Sequence, residues 1–429
     1  MDLAAALQYL DEHENLEAVV ADRRSHPTLD RMERLAHVLG DPQQVAPVIH
    51  ITGTNGKGST AQIASRLVEA HGLTVGTYTS PHLQRINERI ALNGEPIDDD
   101  ALADAIRGIA DAEGLAGVRP SYFEILTAAA FRWFADIAVD VMVIEVGLLG
   151  RWDATNIAHG QVAVVTNVAL DHTEYAGPTR ADIAREKAGI VKRGASLVLG
   201  ETDPELIPIF LAEEPGEAHV RNIDFGCNEN NLALGGRSLE VRTPGASYPD
   251  LYLPLHGAHQ GDNAAAALTA VEAMFGNPLD PEVVMAGFEK VVMPGRFEVV
   301  GRHPLVILDG AHNPAGADVA ATVLDDEFSE VDERIYVVGF LRGRDPVAML
   351  EAMDAASARL VIATAPRSSR AMPAIEVARA ATQLDIDVVM VEPVPAAVDR
   401  ALDEALSDDL VFVTGSLYVV GEARSRLVS

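Results

Sequence analysis

The stretch His50-Ile51-Thr52-Gly53-Thr54-Asn55-Gly56-Lys57-Gly58-Ser59-Thr60 decides the architecture of this chain. An apolar run at 48–51 leads into it and helical spacing at 61–70 follows it, so the stretch joins a strand to a helix. Its glycines let successive backbone N–H groups face an anion, and the helix N-terminus adds a partial positive charge. Lys57 can reach the outer phosphates. The stretch therefore predicts a phosphate-binding loop in an α/β domain.

Strands and helices alternate on both sides of this loop. Up to residue 200 we predict a parallel sheet with strands at 48–51, 73–78, 139–146, 162–168 and 196–199, and helices at 61–70, 101–112 and 123–137. Short polar, β-prone pieces with turn signals at 217–255 predict an antiparallel annex. Helices at 262–275 and 281–290 follow the annex.

The run Met293-Pro294-Gly295 breaks the helical pattern and marks our domain boundary. Beyond it, strands at 305–308, 334–339, 360–364, 388–391 and 410–414 alternate with helices. We therefore expect an α/β protein with an N-terminal P-loop domain at 1–295, which includes the small annex, and a Rossmann-like α/β domain at 296–429.

The composition of the 429 residues excludes several classes of protein. The net charge is −31, and no basic stripe tracks a phosphate backbone, which argues against nucleic-acid binding. No apolar run reaches the ~20 residues of a membrane span. Without a signal peptide, and with Cys227 as the single cysteine, the chain is expected in the cytoplasm. The acidic, lysine-poor composition fits either a salty cytoplasm or GC-rich coding, and both explanations stay open.

The loop departs from the common P-loop spacing, because Gly58 stands between Lys57 and Ser59. In this form it resembles the P-loop of the folylpolyglutamate synthase and dihydrofolate synthase family, a branch of the Mur ligase superfamily. Further motifs follow in the order of that family: Thr79-Ser80-Pro81-His82-Leu83, Glu145-Val146-Gly147, Arg151-Trp152-Asp153-Ala154-Thr155-Asn156, Leu170-Asp171-His172-Thr173, Glu186-Lys187-Ala188-Gly189-Ile190, His259-Gln260, Pro294-Gly295-Arg296-Phe297-Glu298 and Asp309-Gly310-Ala311-His312-Asn313-Pro314.

The resemblance implies an ATP-dependent ligase of the Mur type that adds L-glutamate to a pterin-bearing carboxylate. Because a carboxylate does not react with an amine in water, ATP first converts it to an acyl phosphate, which requires Mg²⁺ and a cationic clamp. A monovalent cation is a further candidate cofactor. The catalytic residues that the resemblance implies are Lys57, His172, Lys187, Asp309 and His312.

The same resemblance implies the binding residues. ATP would be held by the loop residues Gly53, Thr54, Asn55, Gly56, Lys57, Gly58, Ser59 and Thr60, together with Gln260, Asn263, Arg296 and Asp309. Mg²⁺ would be held by Ser80, Glu145 and His172. Composition alone makes Lys187 a surface lysine, whereas the resemblance implies a carbamylated lysine that helps to orient the metal site.

For the acceptor, the resemblance implies Thr28, Leu29, Asp30, Ser121, Trp152, Asp153 and Ala154. Two departures lie beside them, since Leu149 replaces a usual glycine and Trp152 a usual leucine. Trp152 could stack on a pterin or pack beneath its loop, and we keep both interpretations. In the second domain, Arg342-Gly343-Arg344-Asp345 replaces a family Asp-Lys-Asp.

We therefore expect a ligase that acts on dihydropteroate, on the γ-carboxylate of reduced folates, or on both. The alternatives are a Mur-type ligase with another carboxylate acceptor and a non-catalytic nucleotide-binding protein. A zinc site at His256 and His259 is set aside, because no cysteine or second ligand pair lies nearby. The expected partners are small molecules, without nucleic acid or membrane, and we expect a monomer.

Overall fold

The computed structural model of the protein describes residues 1–15, 28–171 and 173–428. Its α-helices in these ranges are α1 Leu3–Asp11, α2 Asp30–Val38, α3 Lys57–Ala70, α4 Asp99–Ala116, α5 Tyr122–Asp136, α6 Thr173–Ala176, α7 Arg180–Ala188, α8 Ile207–Leu211, α9 His259–Phe275, α10 Pro281–Glu289, α11 Pro314–Glu327, α12 Pro346–Ala352, α13 Ala374–Gln383, α14 Val394–Glu404 and α15 Leu417–Leu427.

The strands of the same ranges form three sheets. They are β1 Val48–Thr52, β2 Val75–Tyr78, β3 Ile90–Leu92, β4 Glu95–Pro96, β5 Val141–Glu145, β6 Val162–Val165, β7 Ser196–Leu199, β8 Glu217–Val220, β9 Gly226–Ala233, β10 Gly236–Arg242, β11 Ser247–Leu253, β12 Glu298–Arg302, β13 Leu305–Leu308, β14 Arg334–Val338, β15 Leu360–Ala363, β16 Val388–Met390 and β17 Leu410–Thr414.

The first sheet has eight strands in the order β4-β3-β2-β5-β1-β6-β7-β8. β3 pairs antiparallel with β2 and β4, and all other neighbouring strands pair parallel. All residues of β1 are buried, because helices cover both faces of the sheet. Ile49 and Ile51 pack with α3 and α9, whereas Val48 packs on the opposite face with α4 and α5. The predicted parallel sheet is confirmed.

The antiparallel annex begins later than the sequence suggests. We predicted it from residue 217, but Glu217–Val220 is β8, which pairs parallel with β7 at the edge of the first sheet. Only Val220 of this strand is buried, and the other three residues are partly or fully exposed. The strand can therefore be as polar as the strands of the annex. The annex itself is the antiparallel sheet β11-β10-β9.

The second large sheet has the order β12-β13-β17-β14-β15-β16, with β12 antiparallel to the rest. Helices α11, α12 and α13 pack on one face and α14 and α15 on the other, which confirms the expected Rossmann-like unit. The domain boundary between 295 and 296 stays a proposal, supported by the start of this sheet at Glu298. Within the described ranges, no helix is long and apolar enough to cross a membrane.

Candidate active site

The candidate site lies at the carboxyl edge of the first sheet. The phosphate-binding loop leaves β1, Glu145 ends β5, and Ser80 follows β2 by two residues. β1 lies between β5 and β6. The connection from β1 leads to β2 on one side of it, whereas the connection from β6 leads to β7 on the other side. Ligands of open α/β sheets bind at such a position.

A cleft of about 1180 Å³ opens there between the two α/β units. It is lined by most of the residues predicted from the sequence: Thr28, Leu29, Gly53, Thr54, Asn55, Gly56, Lys57, Gly58, Ser59, Ser80, Ser121, Glu145, Trp152, Asp153, Ala154, Lys187, Gln260, Asn263, Arg296, Asp309 and His312. Thr60 is buried in α3, and Asp30 is exposed on α2, so neither lines the cleft. His172 lies outside the described residues.

The phosphate-binding loop is fixed by the end of the neighbouring strand β6. The Thr166 hydroxyl and the Asn167 side-chain amide donate to the Asn55 carbonyl at 2.6 and 3.0 Å, while Asn55 N donates to Asn167 Oδ1 at 3.1 Å. A side chain at Gly53 would lie 1.8 Å from the Thr166 hydroxyl. Sequence reasoning missed Thr166 and Asn167. Their position after a central parallel strand is the signal that could have found them.

The loop presents the start of α3 to the cleft. Gly56 precedes the helix with φ +84° and supplies no side-chain cap, so the first N–H groups of α3 remain available to an anion. A side chain at Gly56 would lie 2.4 Å from Asn263 Oδ1, which shows how closely α9 approaches. Lys57 Nζ donates to the carbonyls of Gly53 and Thr54 at 3.1 Å each, within the same loop.

Glu145 and Ser80 form the described part of the predicted metal site. Glu145 is 4% exposed, and Ser80 N donates to its Oε2 at 3.1 Å. Burial raises the pKa of Glu145, against the charges of Lys57 and Arg296. In the described part of the chain, no three His, Cys, Asp or Glu side chains form a metal-binding group. A buried carboxylate and a serine that lines the same cleft still offer the oxygen donors that a hard cation prefers.

Lys187 is 3% exposed on α7 and lines the cleft, so its interpretation as a surface lysine is wrong. Burial lowers its pKa well below the usual value, and the charge of Lys57 adds to this effect, whereas Asp171 opposes it. These surroundings favour a neutral, nucleophilic amine.

The second domain contributes a carboxylate and an imidazole. Asp309 accepts hydrogen bonds from Phe297 N at 3.2 Å and Ala311 N at 2.9 Å. Burial raises the pKa of Asp309, and the charge of Arg296 counters it. Burial lowers the pKa of His312 to about 4, and the positive charge of Arg296 contributes to the same shift. His312 Nδ1 bonds the Gly310 carbonyl at 2.9 Å, which assigns the proton to Nδ1 and leaves Nε2 as an acceptor.

Two further residues of the second domain join the domains at the cleft. Asn313 caps α11 and also donates to Asn55 Oδ1 at 3.1 Å and to Asp171 Oδ2 at 3.3 Å. Arg344 Nη1 donates to Asp171 Oδ1 at 2.7 Å. Sequence reasoning named Asn313 only as a member of its motif and gave it no role, because its two partners lie more than a hundred residues away.

On the acceptor side, two predicted residues have structural contacts of their own. Ser121 caps α5 in a reciprocal pair with Glu124. Asp153 accepts from Leu148 N at 2.8 Å and from the Thr155 hydroxyl at 2.6 Å, so its carboxylate holds the loop together.

Trp152 and Leu149 distinguish this loop. Trp152 is 46% exposed and lines the cleft, so it does not pack beneath the loop as a core residue. Leu149 has φ +59°, a region that favours glycine, which explains why glycine is usual at this position. Its carbonyl accepts from the Thr52 hydroxyl at 2.5 Å.

Two domain models and several known proteins are similar to this chain. Residues 121–271 match the Mur ligase middle domain, and residues 295–417 match the Mur ligase glutamate ligase domain. A dihydrofolate synthase/folylpolyglutamate synthase of Mycobacterium tuberculosis is 38% identical over 444 residues, covering 94% of this chain and 91% of the relative.

Two solved structures are also similar. Mycobacterium tuberculosis folylpolyglutamate synthase complexed with ADP aligns with a TM-score of 0.92 and 37% identity, over 100% of this chain and 98% of the other. Escherichia coli FolC in complex with DHPP and ADP aligns with a TM-score of 0.88 and 30% identity, over 99% and 97% of the two chains.

Proposed function

Because this chain belongs to the dihydrofolate synthase/folylpolyglutamate synthase family of ATP-dependent glutamate ligases, we propose that its cleft adds L-glutamate to dihydropteroate and to the γ-carboxylate of reduced folates. One observation carries the proposal. The phosphate-binding loop and Lys187 share a cleft with Asp309 and His312 of the second domain, so a nucleotide and an amino acid can meet at one acceptor carboxylate. A non-catalytic nucleotide-binding protein would not require the second domain there.

The first step transfers the γ-phosphoryl group of ATP to the acceptor carboxylate, forming an acyl phosphate and ADP. Catalysis of this step is mainly positioning and charge neutralisation. The start of α3 and Lys57 supply positive charge to the phosphates, and Arg296 reaches the same cleft from the interdomain segment. Gln260 and Asn263, which hydrogen-bond to each other at 2.9 Å, face the nucleotide from α9.

In the second step the glutamate amine attacks the acyl carbon, and the tetrahedral intermediate expels phosphate. The incoming ammonium must lose a proton before it attacks. The proton passes to solvent, because a lowered pKa of about 4 makes His312 too weak a base to hold it. The neutral ring is suited to orient the amine, since its Nε2 can accept a hydrogen bond near pH 7. Asp309 holds the backbone of the same turn through Ala311 N.

The residues fit the magnesium ion that the family implies. Glu145, the Ser80 hydroxyl and His172 would hold it, and it would neutralise charge on the transferring phosphoryl group when bound. Carbamylation of Lys187 is supported by its burial, because the neutral amine can add CO₂ with loss of a proton. The resulting anion lies near Asp171 and Lys57. The monovalent cation stays a prediction.

Acceptor binding is assigned to Thr28, Leu29, Ser121, Trp152 and Ala154 around the cleft. Asp153 shapes the loop that carries Trp152 and Ala154. The exposed indole offers a flat face for a pterin or aminobenzoate ring. We further propose a cytoplasmic monomer with small-molecule partners.

The test is to offer dihydropteroate and tetrahydrofolate separately, with ATP and labelled glutamate, and to count additions by mass. We expect one addition to dihydropteroate and further additions to the folate, each with release of ADP. ADP release that does not depend on glutamate would favour the nucleotide-binding alternative. Turnover of tetrahydrofolate alone would leave only the polyglutamylating activity.

A further inference from the structure

A buried charged cluster joins the two domains away from the reacting groups. It consists of Glu327, Arg237, His256, Gly257 and Asn230, here called the Glu327 cluster. Glu327 is the last residue of α11 and accepts from Arg237 Nη1, His256 Nδ1 and Gly257 N, each at 2.8 Å. The side chains of Glu327 and Arg237 are only 4% and 7% exposed.

A contribution to the stability of the fold does not explain why a carboxylate is buried at this position. A negative charge at a helix C-terminus opposes the helix dipole, and burying an ion pair costs desolvation energy that its attraction only partly returns. Burial raises the pKa of Glu327, but the hydrogen bonds from His256 and Gly257 outweigh it and keep the group ionised. The contacts of the cluster therefore specify a geometry.

The segment that these contacts hold in place is the turn that leads into α9. Glu327 holds Gly257 N, and Arg237 Nε holds Asn230 Oδ1 at 2.7 Å. Asn230 Nδ2 in turn donates to Ala258 O at 2.6 Å. Ala258 precedes α9 and provides no side-chain cap, so these contacts fix both sides of the turn that leads into the helix.

Gly257 allows α11 to approach this turn closely. Its φ is +99°, and a side chain there would lie 2.4 Å from His259 Cε1 and 3.0 Å from Val323 Cγ2 of α11. The His256 ring also packs against Phe328, with ring centroids 5.0 Å apart. The turn before α9 is therefore enclosed by α11.

Both ends of α11 thus contact segments that lead to the nucleotide side of the cleft. At its start, Asn313 donates to Asn55 of the phosphate-binding loop at 3.1 Å. At its end, Glu327 fixes the turn before α9, whose Asn263 lies against Gly56 of the same loop. We infer that Glu327 is a positioning residue for the nucleotide site, which sets α9 against the phosphate-binding loop through the Glu327 cluster.

This inference rests on the proposed nucleotide site, and ADP with Mg²⁺ is the probe that tests both. Glu327→Gln keeps the shape of the side chain but removes its charge. We expect its Kd for ADP, measured by titration calorimetry, to rise at least fivefold, and its KM for ATP to rise in proportion with a smaller change in kcat. A purely structural role would lower the melting temperature and leave the Kd unchanged.

Asp325→Asn is the matched control, because Asp325 lies on the same helix but pairs with Arg334 inside the second domain at 2.7 Å. It should bind ADP like the parent. If Glu327→Gln does not fold, Arg237→Lys keeps the positive charge but loses the contacts to Asn230, and we expect at least threefold weaker ADP binding. A Kd within twofold of the parent in the folded cluster variant would overturn the inference alone. A parent that does not bind ADP would overturn the nucleotide site and the inference together.

Discussion

The phosphate-binding loop, residues 53–60, and the acceptor loop, residues 147–156, meet the same cleft but are built differently. The phosphate-binding loop works through backbone groups that Thr166 and Asn167 fix in place. The acceptor loop is fixed from within by Asp153 and presents the side chain of Trp152. Backbone geometry suits a phosphate, which every substrate combination shares, whereas we expect the shape of the Trp152 side chain to determine which acceptor binds.

His50 joins β1, the strand before the phosphate-binding loop, to the acceptor loop. It lies on β1, ahead of the phosphate-binding loop, and its Nε2 is 2.9 Å from the Thr155 hydroxyl. Thr155 donates its proton to Asp153, so His50 is assigned as the donor in this pair. The strand that leads into the phosphate-binding loop is therefore joined to the acceptor loop by a buried hydrogen-bond chain.

The largest effect should come from Lys57→Ala. Removing the cation that faces the phosphates should lower kcat by about a thousandfold, or ~4 kcal/mol, with the fold intact. Glutamate-dependent ADP release measures the loss of kcat, and circular dichroism measures whether the fold is intact. Lys290→Ala, at the exposed end of α10, is the control and should remain active. If Lys57→Ala kept more than about a tenth of the parent rate, only ~1.4 kcal/mol would be lost and the phosphate role would fail.

Lys187→Ala should lower kcat by about a hundredfold, or ~2.7 kcal/mol, because the buried position would lose its carbamate anion. Acetate or formate should restore part of the activity by occupying the space left by the side chain. Lys290→Ala should show no response to these anions. A fully active Lys187→Ala enzyme would contradict the carbamate proposal.

His50→Gln tests the contact between β1 and the acceptor loop through the pH dependence of the free energy of unfolding. Burial, followed by the charge of Lys192, lowers the pKa of His50 to about 3. Below about pH 6.5, His50 is protonated in the unfolded chain but stays neutral in the folded chain. The free energy of unfolding of the parent therefore falls as the pH falls. From about pH 8 to about pH 5 the parent should lose about 2 kcal/mol relative to His50→Gln.

Urea unfolding of both proteins at the two pH values measures this difference. Glutamine can still donate to the Thr155 hydroxyl, so the loop contact itself is retained. A difference in stability that does not change with pH would show that His50 is protonated alike in both states.

The smallest effect belongs to Trp152→Ala. Loss of a stacked ring costs on the order of 1 kcal/mol, so the KM for dihydropteroate should rise about fivefold while the KM for ATP stays unchanged. Trp152→Phe should recover part of the loss. Unchanged KM values with a lower melting temperature would make Trp152 a structural residue.

Sequence patterns predicted the large parallel sheet and the Rossmann-like unit because their strands are buried on both faces. They failed at Glu217–Val220, a partly exposed edge strand whose composition resembles that of the annex beside it. Edge strands bury one face or less, so the hydrophobic pattern carries little information about their partners.

The sequence by itself predicted the phosphate-binding loop, because that function depends on glycines and a lysine at fixed spacing, which a local pattern records. Most of the residues that it predicted from motifs line the cleft. Only the tertiary structure decided that Lys187 is buried, that Trp152 faces the cleft and that Glu327 meets Gly257. Burial, charge neutralisation and interdomain contact depend on groups far apart in the chain, and no local spacing encodes them.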